Sequence, residues 1–142
     1  MMDLIEKTTL NTPVELGTRT SLILTALEKK MSLDDLVLLD YALLYSGEFG
    51  GPENLHPALP NHIAEIGHRR EYLPHSLTFF AKRGLISVHV EETGYYYSAN
   101  SQTLNFVSCL KSSYYRKAWT RLNWLNDNYG RILETSFPKY EA

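Results

Sequence analysis

Tyr72-Leu73-Pro74-His75-Ser76-Leu77-Thr78-Phe79-Phe80-Ala81-Lys82-Arg83-Gly84-Leu85-Ile86-Ser87-Val88-His89-Val90-Glu91-Glu92-Thr93-Gly94-Tyr95-Tyr96-Tyr97-Ser98-Ala99 is the stretch that decides the fold. Its first third sets Tyr72, Leu73, Ser76, Leu77 and Phe80 on one face of a helix. Pro74 belongs near that helix's first turn, where a missing N–H is tolerated. Gly84 fits the left-handed residue after a helix C-terminus. The period then switches to two: Ile86, Val88 and Val90 alternate with Ser87, His89 and Glu91. Gly94 closes a hairpin onto a second strand. Helix, turn, strand, tight turn and strand, with strands at about 85–91 and 94–99, form the back half of a winged helix. Such modules dock on DNA or on another protein.

Upstream, Asn11-Thr12-Pro13 is a helix start with Pro just inside it, and Leu16, Thr20, Ile23, Leu24, Leu27 and Met31 follow at helical spacing. This helix is expected to end near Lys29 and Lys30. Ser32 caps a second helix, with Asp34 and Asp35 in its first turn and Leu36, Leu39, Leu43 and Leu44 as its stripe. Asp40 interrupts that apolar run and reads as a carboxylate on the helix rim. The alternative is a buried Asp that pairs with a downstream His or Arg. Residues 46–60 hold three Gly and three Pro, too many for a regular element, and form a long loop. A short helix from Asn61 to about Arg70 and a separate one from Arg70 to Lys82 come next. Downstream, helices are expected over about 101–111 and 114–129, the latter with Tyr115, Ala118, Leu122 and Leu125 inward. The fold class is therefore mainly α with a small β-hairpin (α+β), a winged helix-turn-helix with additional C-terminal helices. Residues 1–12 read as an N-terminal tail, 13–129 as the domain, and 130–142 as a C-terminal tail.

A net charge of −2 over 142 residues is not the basic excess of a free-standing DNA reader. No stretch approaches a membrane span or a signal peptide, so the expected setting is the cytoplasm. The single Cys109 lies in an apolar run and reads as a core thiol. None of the five His pairs at metal-ligand spacing. No phosphate-binding loop, nucleophile elbow or supported carboxylate pair is present, so neither catalysis nor a cofactor is expected.

What remains is surface. Arg69, Arg70, Lys82 and Arg83 are candidate phosphate contacts, although a solvated helix boundary explains them as well. Glu48, Phe49, Leu55 and His56 in the Gly/Pro loop, Tyr95 and Tyr97 in the wing, and Trp119 and Trp124 in the last helix are candidate partner contacts. The two Trp are five apart and are not expected to share one narrow face.

Several motifs resemble one family: Leu10-Asn11-Thr12-Pro13-Val14-Glu15-Leu16-Gly17 with Arg19, Leu39-Asp40-Tyr41, Ser46-Gly47-Glu48-Phe49-Gly50-Gly51-Pro52-Glu53-Asn54-Leu55-His56-Pro57, Pro60-Asn61, Arg69-Arg70-Glu71, Arg83-Gly84-Leu85-Ile86 and Thr93-Gly94-Tyr95-Tyr96-Tyr97-Ser98-Ala99. They resemble the middle component of bacterial ABC three-component systems over roughly residues 10–125. Lamassu-type anti-phage systems include a middle subunit of similar kind. The resemblance implies a non-catalytic accessory subunit that bridges an SMC-like ABC ATPase and an effector, often a nuclease, with DNA met through the complex. It also implies that Gly47, Gly50 and Gly51 shape the loop, while Asp40, His56 and Arg70 tie it down. The competing reading is a winged-helix transcriptional regulator that binds DNA itself. A weaker third is a small enzyme that uses the Gly/Pro loop.

Overall fold

A computed structural model describes residues 12–55 and 62–135. The elements are α1 (Pro13–Leu27), β1 (Met31–Ser32), α2 (Leu33–Leu44), a short 3₁₀ turn (Ser46–Phe49), α3 (His62–Lys82), β2 (Ser87–Glu91), β3 (Gly94–Ser98), α4 (Ser101–Ser108) and α5 (Ser113–Leu133). The strands form one antiparallel sheet in the order β1-β3-β2. No described helix is long and apolar enough to cross a membrane.

Side-chain hydroxyls start the helices where the sequence places them. Thr12 Oγ1 accepts from Glu15 N, Ser32 Oγ from Asp35 N and Ser112 Oγ from Tyr115 N. α1 stops at Leu27, short of the lysines, because Glu28 turns into the left-handed region (φ 55°) and its N–H returns to Leu24 O at 3.1 Å. α4 begins with a capping box. Asn100 Oδ1 accepts from Gln102 N and Thr103 N, while Thr103 Oγ1 accepts from Asn100 N. Asn100 Nδ2 also donates to Ser87 Oγ, and Thr103 Oγ1 to Leu85 O, so one cap fastens α4 to the start of β2.

The core sits around α1 and α2. Leu16, Leu22, Ile23 and Leu24 of α1 and Leu36, Leu38, Leu39 and Leu43 of α2 are completely enclosed. Each such side chain contributes about 1.5–3 kcal/mol of burial. Leu73, Leu77 and Phe80 of α3 and Ala118, Leu122, Leu125 and Ile132 of α5 close over them. α1 and α3 meet where Gly17 lies under Phe80; a Cβ there would stand 2.3 Å from the ring.

Six expectations need correction. The segment from His62 to Lys82 is one helix of 21 residues with Pro74 inside it, not two helices. A proline keeps helical φ and removes only one ladder bond, and buried Arg69, Leu73 and Leu77 on either side hold the axis. Asp40 is enclosed, not on the rim. Cys109 is exposed, because α4 ends at Ser108 and turns the thiol outward. Val88 and Val90 are exposed too: the hairpin extends beyond the helices, so only Ile86 of the alternating set reaches the core. α5 continues to Leu133, with Ile132 buried, past the point at which a tail was expected. Finally, Met31, read at helical spacing, stands instead in a third strand: β1 has two residues, too short for a periodicity signal, and Met31 pairs with Tyr97 and Ser32 with Tyr96.

Candidate interaction surface

The Gly/Pro loop is fastened inward over its described half. Ser46 Oγ donates to Pro52 O at 2.7 Å, Gly47 N to Asn54 Oδ1 at 2.7 Å, and Leu55 N to Leu44 O at 2.8 Å. α5 supplies the other side. Arg121 donates through Nε and Nη2 to Glu53 O, and Arg131 Nη1 to Phe49 O. Gly51 lies against the Trp124 indole, where an added Cβ would fall 2.3 Å from Cε2, so only glycine allows this approach. Tyr41 Oη donates to Glu48 Oε1 at 2.5 Å; burial, then the Glu48 charge, pushes the Tyr41 phenol up from its ordinary value. Phe49 is 7% exposed and meets Tyr41 edge to face. Phe49 is therefore a core residue, not an open contact, and Trp124 packs beneath the loop. Leu55 is half-buried against the same core. His56 lies outside the described residues.

A buried charge cluster joins three helices. Arg19 of α1 donates through Nε to Asp40 Oδ1 at 2.8 Å and through Nη2 to Oδ2 at 2.9 Å. Arg69 of α3 donates through Nε to Asp40 Oδ2 at 2.9 Å and through Nη1 to Glu65 Oε1 at 3.0 Å. The side chains of Arg19, Asp40 and Arg69 are all fully enclosed. Burial alone would raise the Asp40 carboxyl, but the two guanidiniums outweigh it and hold the group below its ordinary value. Arg69 is thereby removed from the candidate phosphate contacts, because its charge faces Asp40. Arg70 pairs with Asp34. The downstream pairing considered for Asp40 thus occurs through Arg69, and Arg19 joins it from upstream. Tyr115 Oη donates to Glu15 Oε1, a link across 100 residues that no local spacing signals.

Among the described residues, two apolar regions with a cleft or groove stand open. β3 sends Tyr95 and Tyr97 to one face of the sheet, opposite Val90 and Val88, and Tyr96 and Ser98 to the other. On the first face Tyr95, Tyr97, Val88, Thr78, Ala81 and Lys82 line a shallow cleft of about 290 Å³. Tyr95 is 62% and Val90 74% exposed, and Tyr72 and Phe79 are open on α3. Lys82 and Arg83 are exposed there, with the Arg83 guanidinium stacked 3.7 Å from the Phe79 centroid. The second region is a groove between α1, α4 and α5. One part, about 470 Å³, is lined by Leu22, Thr25, Leu104, Val107, Tyr115 and Trp119. The other, about 330 Å³, runs past Leu24, Glu28, Lys29 and Lys30 to Ser98. Both include Thr25 and Leu104, so they are continuous. Trp119 is 50% and Leu104 53% exposed.

Of the candidate contacts, Tyr95 and Trp119 are thus open, Tyr97 is half-buried beside Tyr95, and Glu48 is exposed while engaged with Tyr41. Phe79 was not singled out, since it stands off its helix's predicted inward stripe, and Leu104 reads only as part of the apolar run around Cys109. Among the described residues no group of three or more His, Cys, Asp or Glu could hold a metal ion. No curated protein and no solved structure matches this chain. Residues 9–141 match the family model described as ABC-three component (ABC-3C) system Middle Component 2. That match spans nearly the whole chain, which therefore belongs to the family of middle component 2 of the ABC three-component systems, as an accessory component of a multi-subunit assembly.

Proposed function

We propose that this chain is a non-catalytic subunit that bridges an SMC-like ABC ATPase and an effector, often a nuclease, in a Lamassu-type anti-phage or anti-plasmid complex in the cytoplasm. The order α1-β1-α2-α3-β2-β3, with the sheet order β1-β3-β2, supports reading the first part of the chain as a winged helix. In a winged helix that reads DNA, α3 and the wing face the duplex and carry cations for its phosphates. Here the observation that carries the reading is what those elements expose. Arg69 is enclosed and Arg70 is paired; Lys82 and Arg83 stay open at the end of α3, with Arg83 stacked on Phe79, while the other open positions of α3 include Tyr72, His75, Phe79 and Glu71. With Val88, Val90 and Tyr95 beside them, the surface suits a protein partner better than a polyphosphate. The groove at Trp119 supplies the second face that a bridge requires.

Two measurements test this. In the first, the purified chain is titrated with duplex DNA by fluorescence anisotropy, from about 50 mM to about 200 mM salt. Weak binding without a steep salt slope is expected; tight binding with a steep negative slope would favour the transcriptional regulator. In the second, the chain is co-expressed with the ABC ATPase and effector of its own system. Co-elution with both through gel filtration is expected, and elution alone would refute the bridging role.

A further inference from the structure

The groove between α1, α4 and α5 has the form of a helix receptor. Its floor is built from helical ridges: Leu22 and Thr25 at i, i+3 on α1, Leu104 and Val107 at i, i+3 on α4, and Tyr115 and Trp119 at i, i+4 on α5. Ridges at these spacings interdigitate with the matching rows of another helix. The groove also has a charge sign. The chain as a whole carries −2, yet three cations and one carboxylate line this groove: Arg116, Lys29, Lys30 and Glu28. Lys30 is held by Glu91, and Lys29 leans over the Tyr129 ring. Arg116 and Lys29 have no carboxylate within ion-pair distance among the described residues. Lys111 and Lys117 are exposed next to Leu110 and Arg116. An apolar floor with unmatched positive charge at its rim suits one kind of occupant.

We infer that this groove receives an amphipathic helix of a partner subunit, apolar on the face that enters and acidic along its flanks. The inference rests on the reading of this chain as a subunit of a complex, and it names which surface is used and by what chemistry. Trp119 is the anchor, since it is large, half-exposed and surrounded by Leu22, Leu104 and Val107. Arg116 supplies the rim charge that selects acidic flanks.

The chain carries its own probe. Cys109 is its single cysteine, is exposed, and lies between Ser108 and Leu110, both of which line the groove. A photo-crosslinker on Cys109 is activated in the complex assembled with the co-expressed ABC ATPase and effector, and the joined peptide is mapped by mass spectrometry. The expected peptide has apolar residues at i, i+3 or i+4 and i+7, with Asp or Glu beside them. Trp119→Ala and Arg116→Glu are each expected to weaken assembly by about 10-fold or more, with the helical circular dichroism unchanged. Arg116→Glu is also expected to reduce the salt dependence of association. A crosslink to a second copy, to a basic or extended segment, or protection of Cys109 by duplex DNA instead of protein, would overturn the assignment. So would full assembly by folded Trp119→Ala and Arg116→Glu. If Tyr95→Ala breaks the complex while the groove variants do not, the groove assignment fails and the subunit reading stands. If the chain assembles with neither component, both fail.

Discussion

Asp40→Asn is the perturbation that most directly probes how this fold is held. The carboxylate accepts three charge-assisted hydrogen bonds of 2.8–2.9 Å from Arg19 and Arg69, and all three side chains are fully enclosed. Asparagine keeps the shape but presents an NH₂ group where one guanidinium needs an acceptor. It also leaves two buried guanidiniums facing a neutral side chain, with Glu65 still paired to Arg69. Disrupting a buried ion pair of this kind costs about 3–5 kcal/mol, against a net stability of about 5–15 kcal/mol for a typical domain. In urea unfolding followed by circular dichroism, the midpoint should fall by about 2 M. By contrast, Arg70→Ala removes an ion pair whose side chains are 29% and 46% exposed and should cost less than about 1 kcal/mol. The pH profile carries the same signature. Asp40 titrates below its ordinary value in the fold, so its contribution is fully present above the unfolded value of about 3.9 and is lost as pH falls below that toward the folded value. Asp40→Asn should remove that acid-side loss. An Asp40→Asn protein within about 1 kcal/mol of the parent, or one with the parent's full acid sensitivity, would refute the account. A packed apolar triple replacement of Arg19, Asp40 and Arg69 should be milder than Asp40→Asn alone, because no charge is left stranded.

Phe49→Ala should destabilise the isolated chain by about 3–5 kcal/mol, the range for truncating an enclosed Phe. An unchanged urea midpoint would show that the ring is an open contact after all. Glu28→Gly should stabilise it by a few tenths to about 1 kcal/mol, because glycine relieves the left-handed backbone at φ 55°; a lower melting temperature would mean that the Glu28 side chain makes a contact worth more than that strain.

The starts of the first two helices were legible because each carries its own signal. Thr12-Pro13 and Ser32 with Asp34 and Asp35 act within a few residues, so sequence distance and spatial distance coincide. Burial inside a helix was not legible in the same way. Asp40 reads as a rim residue because a charge is rarely enclosed, and nothing within one helical turn announces the partners that make enclosure affordable. Arg19 and Arg69 lie 21 and 29 residues away in the chain. Pro74 misled for a related reason: its local cost is visible in the sequence, whereas the packing of Leu73 and Leu77 that outweighs it is not. The hairpin's alternation correctly gave strands, but alternation cannot say how far the sheet outruns the helices beneath it, and that sets the exposure of Val88 and Val90.

Several of the residues through which the family resemblance is read are internal. Gly17 lies under Phe80, Asp40 pairs with both Arg19 and Arg69, Gly51 lies on Trp124, and Asn54 accepts from Gly47 N. Together they tie α1, α2, α3, the loop and α5 into one frame, so replacing any of them acts on the frame before it acts on a partner. Loss of complex formation in such a variant therefore says nothing about where a partner sits unless stability is measured alongside. The large apolar side chains left at least half exposed in the two open regions are Trp119, Leu104, Val90 and Tyr95, the last within the Thr93–Ala99 motif. That exposure makes them the positions at which partner binding can be tested with little effect on stability. It also explains why motif reading favoured the Gly/Pro loop as a contact surface: a motif marks what the frame cannot lose, whereas a docking face is marked by apolar area that the frame leaves uncovered.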